Sequence, residues 1–277
     1  ILSDGVSISE HLIHYSQFRP RQYFAVNAST AALVDMAYGF AKEGKKVVLL
    51  VSSFRLTQVI DRIKHHFANQ EHHVLLLVYE AGLSRYDRLL HSAVYDLAAY
   101  IQLINTEVKM PSSLNHMESL LNHHFEEKQF TVLRIPHVLD AFEVQSVSQR
   151  FWHEIIPIIE DTKTAVITMG PSVKAFKNKI ESNDLNIALI DAETINRVDN
   201  EIVNKLIEKK IRVLVYNLEG EFDLLTYTLQ QYLSDNSLNL DYISMNLNNV
   251  ALNDSSKSIK TINKLHIEDA LSLLERK

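Results

Sequence analysis

The stretch that decides the fold class is "QYFAVNASTAALVDMAYGFAKEG" (residues 22–44), which predicts a strand, a tight corner and an amphipathic helix in direct succession. Such a unit is typical of α/β proteins, where ligands bind at the carboxyl ends of the strands. The corner here holds only short, uncharged residues, from Asn27 to Thr30. A corner in a position suited to reactive groups therefore has neither an acid nor a base.

The alternation of strand and helix continues through the chain. Eight further apolar, β-rich runs indicate buried strands. These runs are "KVVLLV" (46–51), "VLLLVY" (74–79), "EVKMP" (107–111), "FTVLRIP" (130–136), "TAVITMG" (164–170), "NIALIDA" (186–192), "RVLVYNL" (212–218) and "DYISMNL" (241–247). Continuous apolar strands are typical of mostly parallel sheets covered on both faces. We expect two three-layer α/β/α domains, at 1–141 and 164–277, and a linker at 142–163 with a helix around Phe151 and Trp152.

The composition excludes several classes of protein. The 277 residues are 46% hydrophobic and 22% charged, as in soluble globular proteins. The net charge is −6 and neither half has a basic excess, so we expect no nucleic-acid partner. The absence of cysteine excludes disulfides and thiolate sites. No apolar run reaches the roughly 20 residues that cross a bilayer, so we expect no membrane contact and a cytoplasmic location.

Two kinds of ligand site are not indicated by the sequence. There are only six Gly, and no G-x-G-x-x-G or G-x-x-x-x-G-K-[ST] motif that would hold nucleotide phosphates. The 13 His include three adjacent pairs, His65–His66, His72–His73 and His123–His124. Neighbours on a helix point about 100° apart and rarely share a metal. We interpret these pairs as surface polar residues and assign no metal to them.

Four other residues have both a functional and a structural interpretation. Asp87 and His91 follow the predicted strand 74–79 with helical spacing, although a helix-start Asp and a solvated His are the favoured interpretation from spacing alone. Phe54 follows another strand and is either a core residue or a surface that stacks on a planar ligand. Arg134 lies within an apolar run, where its charge needs an internal partner or a ligand anion. For such an Arg, an internal salt bridge is the commoner case.

The order of these segments resembles the transketolase superfamily of thiamine-diphosphate enzymes, and within it the 1-deoxy-D-xylulose-5-phosphate synthases. The stretches that carry the resemblance in the first half are "RPRQYFAVN", "VSSFRLTQVIDRI", "YEAGLSRYDRLLHSAVYDL", "MPSS" and "VLRIP". In the second half, "NIALIDAETINRVDNEIV" is similar to the C-terminal domain of the family. The resemblance implies a pyrimidine-binding domain at 1–141 followed by a C-terminal domain at 164–277.

The resemblance also implies roles for particular residues. Ser53 and Phe54 would bind the cofactor, with the Phe54 ring stacked on its aminopyrimidine. His91 would be the catalytic residue that faces the reacting carbonyl and helps proton transfer. Asp87 would hydrogen-bond a substrate hydroxyl, and Arg134 would hold the substrate phosphate.

The departures from the family pattern bear on activity. Relatives keep a Glu in the corner that binds the pyrimidine and activates the cofactor, and the alignment through "YFAVNAST" gives Thr30 that cofactor-binding position. A hydroxyl cannot replace the acid, and losing a positioned acid–base group lowers a rate by ~10²–10⁴. Glu80 replaces an Arg of the family's D-R-A-G motif and would repel a substrate phosphate. Val51 replaces a Tyr.

Three functional hypotheses follow. The chain is part of a thiamine-diphosphate transferase that joins two carbons from pyruvate to glyceraldehyde 3-phosphate, or a pseudoenzyme that binds or regulates, or a subunit of a split transketolase or of the 2-oxoacid dehydrogenase β type. The family's G-D-G…N motif for Mg²⁺ and diphosphate is absent, and the opening "ILSDG" is typical of a chain cut inside a strand. We therefore expect an N-terminal domain or a partner subunit to hold that part of the cofactor. We also expect a homodimer, and expect the 277 residues alone to be inactive.

Overall fold

The structure is a computed structural model that describes most of the chain. The described residues are 1–3, 10–26, 29–68, 70–82, 94–103, 105–126, 129–136, 139–140, 150–247 and 265–275. Their strands form two separate sheets, one from each half of the chain.

The first sheet has six strands, and every pair in it is parallel. The strands are β1 (Leu2–Ser3), β2 (Phe24–Ala25), β3 (Val47–Ser52), β4 (Val74–Ala81), β5 (Glu107–Lys109) and β6 (Phe130–Pro136). Their order across the sheet is β2-β1-β3-β4-β6-β5. Because all strands run the same way, their carboxyl ends meet at one edge.

The second sheet has five strands in the order β11-β10-β8-β9-β7. They are β7 (His153–Ile156), β8 (Thr164–Thr168), β9 (Ile187–Asp191), β10 (Arg212–Asn217) and β11 (Tyr242–Asn246). All pairs are parallel except β7 with β9, which places one antiparallel strand at the edge.

Helices cover both faces of each sheet. The α-helices are α1 (Glu10–Phe18), α2 (Thr30–Lys42), α3 (Ser53–Leu56), α4 (Ile60–Phe67), α5 (Leu114–Glu126), α6 (Pro171–Ser182), α7 (Asn200–Glu208), α8 (Leu224–Asp235) and α9 (Ile267–Glu275). A 3₁₀ helix spans Leu97–Gln102. On the first sheet, α2 and α4 pack over one face and α5 over the other. On the second, α7 and α8 lie opposite α6 and α9.

The alternation of side chains along each strand explains these layers. In β3, Leu49 and Val51 point toward α2 and α4, whereas Val48 packs on the α5 side. In β8, Ala165 and Ile167 face α7 and α8, and Val166 faces α6. Strands that are apolar on both faces need cover on both faces. The predicted α/β class with two mostly parallel sheets is confirmed.

The helix predicted around Phe151 and Trp152 is wrong. Directly after Trp152 the chain forms β7, which pairs antiparallel with β9, and the Trp152 side chain is fully buried in the core between the second sheet and α7 and α8. The paired residues of β9 lie 33 to 38 positions further along the chain, and local periodicity does not reveal such a partner. β7 therefore lies inside the stretch predicted as a linker, and the boundary at 141 stays a prediction.

Within the described ranges, we find no helix that combines the length and apolar character required to span a bilayer.

Candidate functional site

The candidate site lies at the carboxyl edge of the first sheet, where ligands bind in open parallel sheets. Thr30 begins the helix after β2, Ser53 and Phe54 follow β3, and Glu80 lies near the end of β4. The parallel pairing of these strands brings the four residues to the same edge.

Thr30 is the first residue of α2 and is almost fully buried. Ser29 precedes it in an extended conformation and caps the helix, with its hydroxyl accepting a hydrogen bond from the amide of Ala32 at 3.2 Å. Apolar residues at helical spacing in α2, Leu33, Val34 and Ala37, fix the helix on the sheet. The cap and this packing set the position of Thr30, whose hydroxyl can donate or accept a hydrogen bond but holds no titratable proton.

Ser53 and Phe54 form the first turn of α3 directly after β3. Ser53 is buried, and its hydroxyl donates to the backbone carbonyl of Glu80 at 2.9 Å, which ties the ends of β3 and β4 together. Phe54 is partly exposed, and the guanidinium of Arg55 lies over its ring at 5.5 Å from the centroid. A planar ligand stacked on that ring face would have to displace Arg55, while the ring itself suits an aminopyrimidine.

The end of β4 has an unusual backbone. Glu80 has a φ of 56° and Gly82 a φ of 91°, and the pairing of β4 with β6 shifts register between Val78 and Ala81. A left-handed conformation at a residue with a side chain stores strain of about 1–3 kcal/mol, and such strain concentrates at functional sites. A Cβ at Gly82 would overlap the carboxylate of Glu219 from the second half of the chain, so the glycine permits that close approach.

Arg134 lies in β6, and its side chain is fully buried. Its Nε and Nη2 donate to the two carboxylate oxygens of Asp96 at 2.7 and 3.0 Å, and Nη2 also donates to the carbonyl of Glu219 at 2.8 Å. Burial opposes the charge, but Asp96 raises the pKa of Arg134 far above its ordinary value. The internal salt bridge is thus present, and the phosphate-binding role stays a prediction.

Asp87 and His91 lie outside the described residues, so their predicted roles stay predictions.

A second polar cluster, which the sequence analysis missed, lies buried between the two sheets. Its members are Lys109, Ser112 and His116 from the first half and His153, Asp191 and Glu193 from the second. The carboxylate of Glu193 is its centre: Oε2 lies 2.8 Å from the Nε2 of His116 and of His153, and Oε1 accepts from Lys109 at 3.1 Å. The segment after β9 forms an isolated antiparallel bridge with β5, the edge strand of the first sheet, and this bridge connects the two halves of the chain next to the cluster.

This cluster lies between the sheets of the two domains predicted from the sequence, and we call it the interdomain cluster. The pKa values of several of its groups are shifted from their ordinary values. Burial alone would raise the pKa of Glu193, but both imidazoles and Lys109 hold it well below its usual range. Burial alone would lower the pKa of His116, but Glu193 and Asp191 raise it. Burial raises the pKa of Asp191 to about 6, against the attraction of His116. Ser112 lies near Asp191, yet neither oxygen of this carboxylate has a hydrogen-bond partner among the described residues.

Ser112, His116 and Glu193 form a chain of hydrogen bonds similar to a hydrolytic triad. The hydroxyl of Ser112 lies 3.0 Å from Nδ1 of His116. The exposed fractions are 1% for Ser112 and 0% for His116, so a substrate could not reach the hydroxyl. We interpret the chain as structural. Its only signal in the sequence is the spacing of Ser112 and His116, which does not reveal an acid 77 residues further along.

The histidine pairs agree only in part with the surface interpretation. His65 is exposed, but His124 is buried, with its Nδ1 3.1 Å from the hydroxyl of Thr131. Burial and the nearby His73 lower the pKa of His124 to about 4. The surface interpretation is therefore wrong for His124. Across the described residues, no group of three or more His, Asp or Glu is arranged to hold a metal ion.

Solved structures show which class of fold this is. A split-gene transketolase described as an inactive β4 tetramer superposes with a TM-score of 0.80 at 13% identity, over 99% of this chain and 90% of its own. The transketolase of Pichia stipitis in complex with sedoheptulose 7-phosphate gives a TM-score of 0.72 at 12% identity, over 91% of this chain and 38% of its own. The protein therefore has the transketolase-like fold.

In sequence, the chain is similar at low identity to 1-deoxy-D-xylulose-5-phosphate synthases. The synthase of Clostridium tetani is 23% identical over 248 residues, which are 88% of this chain and 39% of the relative. That of Chlamydia muridarum is 22% identical over 252 residues, 89% and 40% of the two chains. No family model matches the chain. The chain spans about two fifths of the length of these curated relatives.

Proposed function

We propose that this chain is the pyrimidine-binding and C-terminal part of a thiamine-diphosphate-dependent transferase, and that a diphosphate-binding domain carried elsewhere completes its cofactor site. The observation that supports this most is the match over nearly the whole of both chains to a split-gene transketolase. In that protein, a unit of this extent is a separate polypeptide. The domain division at about residue 141 and a homodimeric state belong to the same proposal.

The residues at the edge of the first sheet fit one part of the cofactor. Phe54 offers a partly exposed ring and Ser53 fixes the turn on which that ring lies, so the two suit an aminopyrimidine. Thiamine diphosphate, when bound, supplies the carbanion chemistry that two-carbon transfer needs. Thr30 would contribute a hydrogen bond without an acid. His91 and Asp87 would act on the substrate carbonyl and hydroxyl.

The reaction proposed is two-carbon transfer from pyruvate to glyceraldehyde 3-phosphate, the reaction that the resemblance to 1-deoxy-D-xylulose-5-phosphate synthases implies. We expect a low rate, since the uncharged Thr30 stands where relatives have a Glu.

The test compares this chain alone with the complete protein, either the longer polypeptide or the complex with its partner. We expect the chain alone to give no turnover, and the complete protein to bind thiamine diphosphate with Mg²⁺ and turn over slowly. Thr30→Glu in the complete protein should raise the rate by ~10²–10⁴, because it restores the acid. Thr30→Gln is the matched control and should not raise it. Turnover by the isolated chain would refute the proposal.

A second candidate is a binding or regulatory protein with the same fold and no catalysis. The internal pairing of Arg134 with Asp96 favours it, since the guanidinium proposed for the substrate phosphate is already held by a carboxylate. Cofactor binding by the complete protein without turnover, and no gain in the Thr30→Glu variant, would decide for this candidate.

A further inference from the structure

The interdomain cluster joins the two halves of the chain at a point where their backbones also pair. The amide of Met110 donates to the carbonyl of Glu193 at 2.8 Å, and the amide of Ile195 donates to the carbonyl of Val108 at 2.9 Å. The cluster therefore lies next to a short stretch of backbone hydrogen bonds between the domains. A change of charge within the cluster acts on that contact.

The hydrogen bonds indicate where a proton resides in this cluster. The amide of Ser112 points at Nδ1 of His116 at 3.3 Å, so in the neutral imidazole Nδ1 is the acceptor and Nε2 donates to Glu193. A second proton on the ring would sit on Nδ1, which lies 3.8 Å from Oδ2 of Asp191. That carboxylate is fully buried and has no hydrogen-bond partner among the described residues.

The other charged groups around this pair come from every element packed on it. β5 contributes Lys109, which also lies 3.4 Å from Glu107, and β7 contributes His153. Lys109 already lies beside two carboxylates, those of Glu107 and Glu193, so the buried carboxylate of Asp191 has no cation of its own among these groups when both imidazoles are neutral. A buried carboxylate in that state is strongly unfavourable. A proton on His116 or on Asp191 itself removes the excess charge.

We propose that the interdomain cluster is a proton-controlled contact: one proton shared between His116 and Asp191 tightens the interface between the domains, and its loss loosens that interface. This goes beyond the proposed function, because none of the groups in the cluster is a proposed cofactor-binding or substrate-binding residue, and it holds whether or not the protein is an enzyme.

The direction of the pH dependence follows from the shifts. The pKa of Asp191 is about 6 when the two domains are in contact and this side chain is buried, whereas the pKa of an exposed Asp is about 3.9. Because this pKa is raised, its stabilising contribution is complete below about pH 3.9 and is lost as the pH rises through about 6. The raised pKa of His116 acts in the same direction. The lowered pKa of Glu193 acts oppositely but only below about pH 4.3. The contact is therefore tighter near about pH 5 than at about pH 8.

Amide hydrogen exchange measures this contact directly. The interdomain amides of Met110 and Ile195, followed by NMR and corrected for intrinsic exchange, should lose about tenfold in protection between about pH 5 and about pH 8. Asp191→Asn removes the titrating carboxylate but keeps His116, so its protection should fall by clearly less than that of the wild type between these pH values and should exceed the wild-type value at about pH 8.

The matched control is His66→Gln, which removes an imidazole paired with Asp35 at 3.0 Å at the surface of the first domain. This variant should keep the wild-type pH profile. A flat wild-type profile would overturn the proposal, as would a wild-type-like loss of protection in Asp191→Asn. An Asp191→Asn protein that fails to fold at about pH 8 would overturn it too, because the neutral side chain is expected to close the interface there.

Discussion

The guanidinium of Arg134 is fully buried and donates to both oxygens of Asp96, at 2.7 and 3.0 Å. An arginine keeps its charge in any folded protein, so burial of this side chain requires a carboxylate close by. The phenol of Tyr100 adds a third hydrogen bond to Asp96, at 3.1 Å. Asp96 is therefore the main counter-charge of Arg134, and the carboxylate of Glu219 lies further away, at 3.8 Å from Nη1.

We predict that Asp96→Asn lowers the free energy of unfolding by about 3 to 5 kcal/mol, since it removes the hydrogen-bonded counter-charge of a buried guanidinium and leaves only the more distant carboxylate of Glu219. The matched control is Asp35→Asn, which breaks a pair with Arg62 whose side chains are 46% and 51% exposed. Loss of that exposed pair should change stability by about 0 to 1 kcal/mol. Urea unfolding of both variants measures the difference, and equal effects would contradict the assignment of Arg134 to an internal ion pair.

For single residues, the sequence could predict which side chains need a partner but could not identify the partner. Arg134 was identifiable as a buried charge that needs a partner, because it interrupts an apolar strand. Its partner Asp96 lies 38 residues away, and neither spacing nor periodicity connects the two. The same holds for Glu193, whose partners His116 and His153 are 77 and 40 residues away. Partners that meet only through tertiary packing leave no local signal.

Among the elements, long strands with apolar residues on both faces were predictable. The run at 130–136 matches β6 at both ends, and the run at 74–79 lies within β4. β7 was not predictable, because its four residues belong to a strand only through pairing with β9. Periodicity reports how a segment is buried, and a short edge strand is buried mainly by its neighbours.

The glycine before α6 allows a test of how closely this helix packs against Met110. Gly170 precedes this helix with a φ of 58°, and an added Cβ there would overlap the side-chain methyl of Met110 in the other domain. Gly44 has a φ of 73° after α2, but a Cβ there would meet nothing within 4 Å. Both glycines thus have a positive φ, which disfavours a side chain, and they differ in the contact that a Cβ would make.

We predict that Gly44→Ala lowers the free energy of unfolding by about 1 kcal/mol, from the left-handed conformation alone. Gly170→Ala should lower it by about 2 kcal/mol more, because overpacking at the domain contact adds to the strain. Thermal or urea unfolding distinguishes the two. If Gly170→Ala were no worse than Gly44→Ala, the close packing of α6 against Met110 would be wrong.

At the scale of the whole molecule, buried polar groups from each half of the chain have their partners in the other half. Lys109 and His116 depend on Glu193, and Arg134 donates to the carbonyl of Glu219. If the two halves separated, these groups would lose their hydrogen-bond and ion-pair partners. Neither half is therefore expected to stay folded while the other unfolds. The wild-type protein should therefore unfold in one transition.

Trp152 makes this testable, because it is the only tryptophan of the chain and lies fully buried in the second domain. Its fluorescence follows the second domain, whereas far-ultraviolet ellipticity follows both. At weakly acidic pH the two urea transitions should coincide in the wild type and separate in Glu193→Ala, which removes the acceptor shared by Lys109, His116 and His153. Glu201→Ala, at an exposed pair with Arg150, is the control and should leave them coincident. Coincident transitions in Glu193→Ala would mean that the buried cluster does not couple the domains, and that backbone and apolar contacts alone hold them together.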